Sequence, residues 1–277
     1  MIKNKTYIRN FIVLLIFYTC ILLVSCGKEN YTEKAYSYTF DDEIKYIDLE
    51  WNIGDIEISS GDKFSIEEVS INDKCITPLK YSINNQKLIV NYNDSKKKLK
   101  ITLDKNKKYD DFSINSIVSN ITLNEINLKK FTAKTKKGVT NITSSSIDYV
   151  DIEITCQNDW ACVEIKNNIF NTFEFKMEKV HIFIYENNKS NSCEIKIVSS
   201  DIHYSKNICK YTSVISNNAT IKLNLNANLG YEIEALTKNT YIDFETLSYN
   251  NKYMYGNCEN IICCKAINGT LEIKRSK

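Results

Sequence analysis

"CEIKIVSSDIHYSKNICKYTSVI" (193–215) holds two short alternating segments, "CEIKI" (193–197) and "DIHY" (201–204), and then "YTSVI" (211–215), where the first segment comes round again. Alternation of apolar and polar residues marks a strand with one buried face. Both segments belong to families that recur along the chain. One family reads "NITL" (120–123), "TNIT" (140–143), "CVEI" (162–165), "HIFI" (181–184) and "DIHY". Its apolar centres, Ile121, Ile142, Val163, Ile182 and Ile202, step by 21, 21, 19 and 20 residues. The other family reads "FTAKT" (131–135), "VDIEI" (150–154), "FEFKM" (173–177), "CEIKI" and "YTSVI".

A repeat of near 20 residues holding two or three short strands predicts an all-β chain built as a parallel β-helix, or solenoid. One such turn cannot bury its apolar side alone, whereas stacked turns share a core. With strands about 4.8 Å apart, about seven rungs make a rod roughly 35 Å long. Short alternating strands at regular spacing also fit a large antiparallel sandwich. Upstream, "DIEIS" (55–59), "FSIEEVS" (64–70), "KLIVNY" (87–92) and "KLKITL" (98–103) read as N-terminal antiparallel strands. No segment past residue 35 keeps a long helical apolar period. The expected organisation is a signal segment over 1–25, a polar tether over 26–35 and one domain over 36–277. That domain divides into N-terminal strands (36–117) and repeated rungs (118–277).

The amino terminus sets the compartment. Lys3, Lys5 and Arg9 precede a mostly apolar run, Phe11–Val24, too short to span a bilayer as a helix. Leu23-Val24-Ser25-Cys26 closes that run and resembles the lipobox of bacterial lipoproteins. The resemblance implies cleavage before Cys26 and a diacylglyceryl group on its sulfur. The acyl chains would anchor the protein outside the cytoplasm, each buried methylene contributing about 0.8 kcal/mol. The alternative is ordinary cleavage, with Cys26 free to enter a disulfide. The 277 residues carry a formal net charge of +2, so no global field draws the chain to nucleic acid.

Several segments together resemble the "putative adhesin" domain of bacterial envelope proteins, a β-helix-like family of unknown molecular function. They are an opening strand pair "IKYIDLEWNIGDIEISSGD" (44–62), a hairpin "YSINNQKLIVNY" (81–92), a late turn "GYEIEALTKNTYIDF" (230–244) and the end "INGTLEIKRSK" (267–277). The Gly-Asp token of that family stands at Gly54-Asp55 and Gly61-Asp62, while later turns carry Ser119-Asn120, Thr140-Asn141 and Asn268-Gly269.

Cys20 falls within the signal segment, and eight cysteines follow Cys26: Cys75, Cys156, Cys162, Cys193, Cys209, Cys258, Cys263 and Cys264. An even count in an oxidising compartment permits disulfides. Neighbouring rungs bring Cα atoms to about 4.8 Å, inside the disulfide window, so Cys193 and Cys209 are one candidate pair. Cys156 with Cys162 would close "QNDWA", and Cys258 with Cys263 or Cys264 is a third candidate. Alternatively the thiols are small core hydrophobes in a reducing setting. The absence of Cys-x-x-Cys spacing argues against a metal cluster.

Other chemistry is sparse. His181 falls beside Asp201 in the repeat register, and His203 is the second histidine. Asp41-Asp42 and Asp110-Asp111 are adjacent acids, but strand neighbours face opposite ways, unlike a glycosidase pair. Lysines cluster at 96–108 and 129–137, as an anion-binding patch or as solvated edge residues. No phosphate-loop or nucleophile-elbow motif occurs. The expectation is a lipid-anchored, non-catalytic binding, adhesion or structural module without a cofactor or metal. Its partners are the membrane and an unidentified protein or glycan. The alternatives are a carbohydrate-active β-helix enzyme and an envelope sensory or regulatory protein. Metabolic labelling with a fatty acid should mark the wild-type protein and leave Cys26→Ala unlabelled; label in the variant would contradict the anchor.

Overall fold

The computed structural model describes residues 31–40, 43–71, 78–92, 97–155, 161–243 and 246–276. The expected signal segment with Cys26, the pair Asp41-Asp42, Cys75 and Cys156 lie outside them. The protein is all-β, with no helix among the described residues. The first half holds β1 (Tyr31–Thr39), β2 (Tyr46–Ile53), β3 (Ile56–Gly61), β4 (Ser65–Ile71), β5 (Lys80–Asn84), β6 (Lys87–Tyr92), β7 (Lys97–Asp104), β8 (Asp111–Val118), β9 (Ile121–Asn124) and β10 (Asn127–Thr143). The second half holds β11 (Ser146–Ile154), β12 (Ala161–Lys166), β13 (Ile169–Glu186), β14 (Lys189–Ser205), β15 (Ile208–Asn217), β16 (Thr220–Asn226), β17 (Tyr231–Ile242), β18 (Leu247–Tyr249), β19 (Lys252–Tyr255) and β20 (Asn260–Ser276).

These strands form two parallel ladders. The first runs β6, β2, β8, β10, β11, β13, β14, β15, β20, β17, using the N-terminal halves of the long strands. The second runs β7, β3, β9, β10, β12, β13, β14, β16, β20, β17, using their C-terminal halves. Ten two-strand rungs therefore stack, more than the seven expected. The surplus lies where antiparallel strands were expected: β2, β3, β6, β7 and β8 pair in parallel. Antiparallel pairing is confined to β1–β4–β7 and β5–β6 at one end and β17–β19–β18 at the other.

The stack does not follow chain order at its ends. The earliest rung, β2–β3, sits between β6–β7 and β8–β9. The last rung, β20, inserts between β15–β16 and β17. A rung inserted between partners distant in sequence leaves no local period, which is why residues 36–117 do not read as repeats. Strand β1 begins at Tyr31, inside the stretch expected to be tether.

Inward side chains form continuous files along the stack. One runs Leu88, Ile47, Phe112, Phe131, Val150, Phe173, Cys193, Thr212, Ile262, Ile233, and all ten are buried. In the other ladder, Leu123, Ile142, Ile165, Tyr185, Tyr204, Leu223 and Ile273 form such a file. The sequence period is right in length and wrong in phase. Ile142 pairs with Leu123 and Ile165 rather than with Ile121 and Val163. Phe183, not Ile182, pairs with Val163 and Ile202. In "HIFIY" both parities are apolar, and a one-residue slip exchanges the faces.

Corners between the ladders fix the phase. Ser144, Asn167, Asn187 and Lys206 take left-handed φ of 52°, 58°, 54° and 53°, and each is followed by a buried Ser145, Asn168, Asn188 or Asn207. The left-handed region is steeply disfavoured for bulky residues and easiest for Gly and Asn. The Asn168 backbone N–H donates to Asn188 Oδ1 at 3.0 Å, and the Asn188 N–H donates to Asn207 Oδ1 at 2.8 Å. Their Nδ2 groups donate to the carbonyls of Ile142, Ile165 and Tyr185 at 2.9, 2.9 and 2.7 Å. This asparagine row satisfies backbone groups that the corner would otherwise bury without partners.

A buried ion pair closes the β1 end. Lys97 Nζ lies 2.8 Å from Glu68 Oε1, with both side chains buried. Glu68 Oε2 accepts the Leu79 N–H at 3.1 Å and the Tyr38 hydroxyl at 3.4 Å. Lys97 is thus no member of a solvated lysine cluster. Removing one partner strands the other charge, so Glu68→Gln and Lys97→Met should each cost about 3–5 kcal/mol in denaturant unfolding. Asn188→Ala should cost at least about 2 kcal/mol by orphaning the Asn168 N–H and the Ile165 carbonyl. Asn191→Ala, which removes an exposed bond to Asn171, should stay within about 0.5 kcal/mol.

Candidate functional site

"NANLGY" (226–231) turns the chain into the terminal rung. The Asn226 Oδ1 accepts the Asn228 N–H at 3.0 Å, and the Tyr231 hydroxyl accepts the Asn226 N–H at 3.2 Å. The turn "DKNKKY" (104–109) is built alike, with Asp104 Oδ1 and the Tyr109 hydroxyl as acceptors. Beyond Tyr231, Gly230 packs against the backbone of residues 256–258. A Cβ there would collide with Asn257 and the Cys258 nitrogen, so this approach requires glycine. Asn260 Nδ2 donates to the Gly230 carbonyl at 2.9 Å, and Arg275 lies 4.3 Å over the Tyr255 ring while donating to the Ala227 carbonyl at 3.0 Å. Asn250 and Asn251, with φ of 46° and 63°, make the two-residue turn joining β18 to β19.

This cap exposes what the rest of the stack covers. Leu247, Tyr249 and Tyr241 are 74%, 72% and 65% exposed, the highest among the described large apolar residues. Leu247 also lines an open cleft of about 500 Å³ with Thr246, Met254, Tyr255 and Gly256. The far half of β17, Asn239–Ile242, pairs with β20 on one side; among the described residues no strand pairs with its other side. Exposed aromatic faces beside an unpaired edge suit contact with a protein surface, a sugar ring or an added strand. Sequence reasoning missed this site, since Leu247 and Tyr249 resemble ordinary strand residues.

The expected chemical sites disperse. Cys162, Cys193, Cys209, Cys258, Cys263 and Cys264 are free thiols. Cys193 pairs in register with Thr212, and Cys209 with Ser190, so the two are not directly opposed. The phase breaks after Cys209: Tyr211 is 51% exposed and Thr212 points inward. Burial pushes the Cys193 and Cys264 thiols well up. Asp201 lies beside Ile182 rather than His181, whose side chain is outside the described ones, and His203 pairs with Ile184 and Lys222.

The two lysine clusters are largely neutralised. Lys105, Lys108, Lys129, Lys130 and Lys134 face Asp62, Asp148, Asp110, Asp111 and Glu153. Lys129 also holds the Asp110 carboxyl below its usual range, so Asp110 and Asp111 are structural acids on separate lysines. Among the described residues no three His, Cys, Asp or Glu side chains gather to hold a metal.

No protein-family model matches the sequence, and no curated protein matches it. Solved structures do resemble it. A "putative adhesin" from Parabacteroides distasonis shares 12% identity at a TM-score of 0.50, over 87% of this chain and 95% of that one. A "putative cell adhesion protein" from Clostridium sporogenes shares 13% at 0.27, over 88% and 100%. A "putative adhesin" from Bacteroides fragilis shares 11% at 0.37, over 87% and 97%. The likeness to the first concerns the fold.

The thiolate is the reactive form and burial suppresses it. In native protein at pH 8, iodoacetamide should therefore modify Cys162 and Cys258 before Cys193 and Cys264. Peptide mapping that finds all four modified equally fast would contradict the buried placement.

Proposed function

We propose that the chain is a lipid-anchored β-solenoid of the bacterial cell envelope, a non-catalytic adhesion module that presents its cap away from the membrane. The ten parallel rungs form the solenoid, occupying most of a domain that opens with β1 at Tyr31. Residues 1–25 are the signal segment, and Cys26 carries the acyl chains. With β1 starting at Tyr31, the tether is only a few residues long.

One observation carries this reading. In the second ladder β1, through β4 and β7, lies at one end and β17 at the other. Twelve strands at about 4.8 Å put roughly 50 Å between them. The start of β1, where the proposed anchor would join, and the exposed Leu247, Tyr249 and Tyr241 lie at opposite ends of the stack. That separation suits a surface-contact module, and the adhesin name of the Parabacteroides distasonis neighbour agrees with it. The partner is a protein or glycan met outside the cell.

Cells carrying the full chain should adhere to surfaces coated with extracellular glycoprotein more strongly than cells lacking it. The triple variant Tyr241→Ser, Leu247→Ser, Tyr249→Ser should lose most of that gain while its melting temperature stays close to wild type. Equal adherence of variant and wild type would remove the cap from the reading.

A further inference from the structure

Where the first ladder ends and the chain turns toward the second, a groove of about 360 Å³ crosses β11, β13, β14, β15 and β20. That volume lies in the range of roughly 300–1,000 Å³ typical of small-molecule sites. Five strands at about 4.8 Å make the groove roughly 19 Å long, so it suits a narrow, linear occupant. Its floor is the buried file Ile154, Met177 and Ile197, and its walls include the exposed Val198 and Ile267.

One end is polar in a specific way. Ser216 is 0% exposed and lines the groove, yet its Oγ has no hydrogen-bond partner, and the buried Oδ1 of its neighbour Asn217 has none either. An unpartnered buried hydroxyl costs free energy unless a ligand completes it. Lys196, which lines the groove and is paired with Glu194, and Lys265 flank Ile215 in register, just before Ser216. At the opposite end Glu153, Lys176 and Glu178 line the groove, with Glu153 in register with Lys176 and paired with Lys134.

We propose that this groove binds a single fatty-acyl chain with a carboxylate head. The tail lies along Ile154, Met177 and Ile197. The head takes a hydrogen bond from Ser216 Oγ, at the end of the groove that Lys196 and Lys265 adjoin. The site is separate from the cap and does not depend on the adhesion reading.

Isothermal titration of the full chain with tetradecanoate, below its micelle concentration, tests the site. Saturable one-to-one binding is expected. Val198→Asp should weaken it at least tenfold. Ser216→Ala should weaken it about fivefold while leaving the melting temperature unchanged or higher, because the lost hydroxyl has no partner in the free protein. Methyl tetradecanoate, without the charge, should bind more weakly than the acid. Absence of wild-type binding, or affinity untouched by both substitutions, would overturn the proposal. So would binding of an apolar peptide in this groove when tetradecanoate does not bind.

Discussion

Asn168, Asn188 and Asn207 lie one above another at a corner, and each side chain bonds the backbone of a neighbouring rung. The constraint behind this row is that no rung can bury its own apolar side. A pair of short strands leaves half of each inward side chain exposed until the next pair covers it. Stacking then succeeds only in one register, because a slip of one residue turns the core file outward. The apolar files supply the larger share of stability, being closely packed over ten rungs. They are less able to choose a register, since Phe, Ile, Val and Tyr replace one another along them. The asparagines choose it, because each amide has both its donor and its acceptor engaged by an adjoining rung.

The same logic explains the ends. A stack of parallel strands has two open faces, where pairing and burial must stop. At the β1 end the antiparallel strands β4, β1 and β5 cover the last rungs, and the Lys97–Glu68 pair is sealed beneath them. At the other end coverage is partial: β19 covers the first residues of β17, and the far half of β17 keeps an unpaired edge among the described residues. The exposed Leu247, Tyr249 and Tyr241 belong to this less-covered end. The polarity of the molecule therefore comes from how its two ends are closed.

Much of the central stack was legible in the sequence, because five successive turns carry alternating apolar residues at a step near 20. Its phase was not. Apolar residues of both parities in "HIFIY" make Ile182 and Phe183 equally credible, and only the neighbouring rung selects Phe183. The inserted rungs β2–β3 and β20 were illegible for a different reason: their partners are remote in the chain. The asparagine row left a signal that went unread, namely Asn at 168, 188 and 207, each behind a residue in the left-handed region. Lys97 left none, since its burial follows from the ends closing over it and not from its own neighbours in a lysine run. The groove beside Ser216 was equally silent, because it arises where five separate corners meet.

The most direct test of the stack is the distance between its ends. Spin labels placed at the exposed Tyr36 and Tyr249 through genetically encoded reactive residues, leaving the native thiols unlabelled, can be measured by double electron–electron resonance. With β1 and the β18–β19 hairpin at opposite ends, a narrow distribution centred at about 60 Å is expected. A distribution centred below about 30 Å, as an antiparallel sandwich with its termini folded together would give, would contradict the architecture.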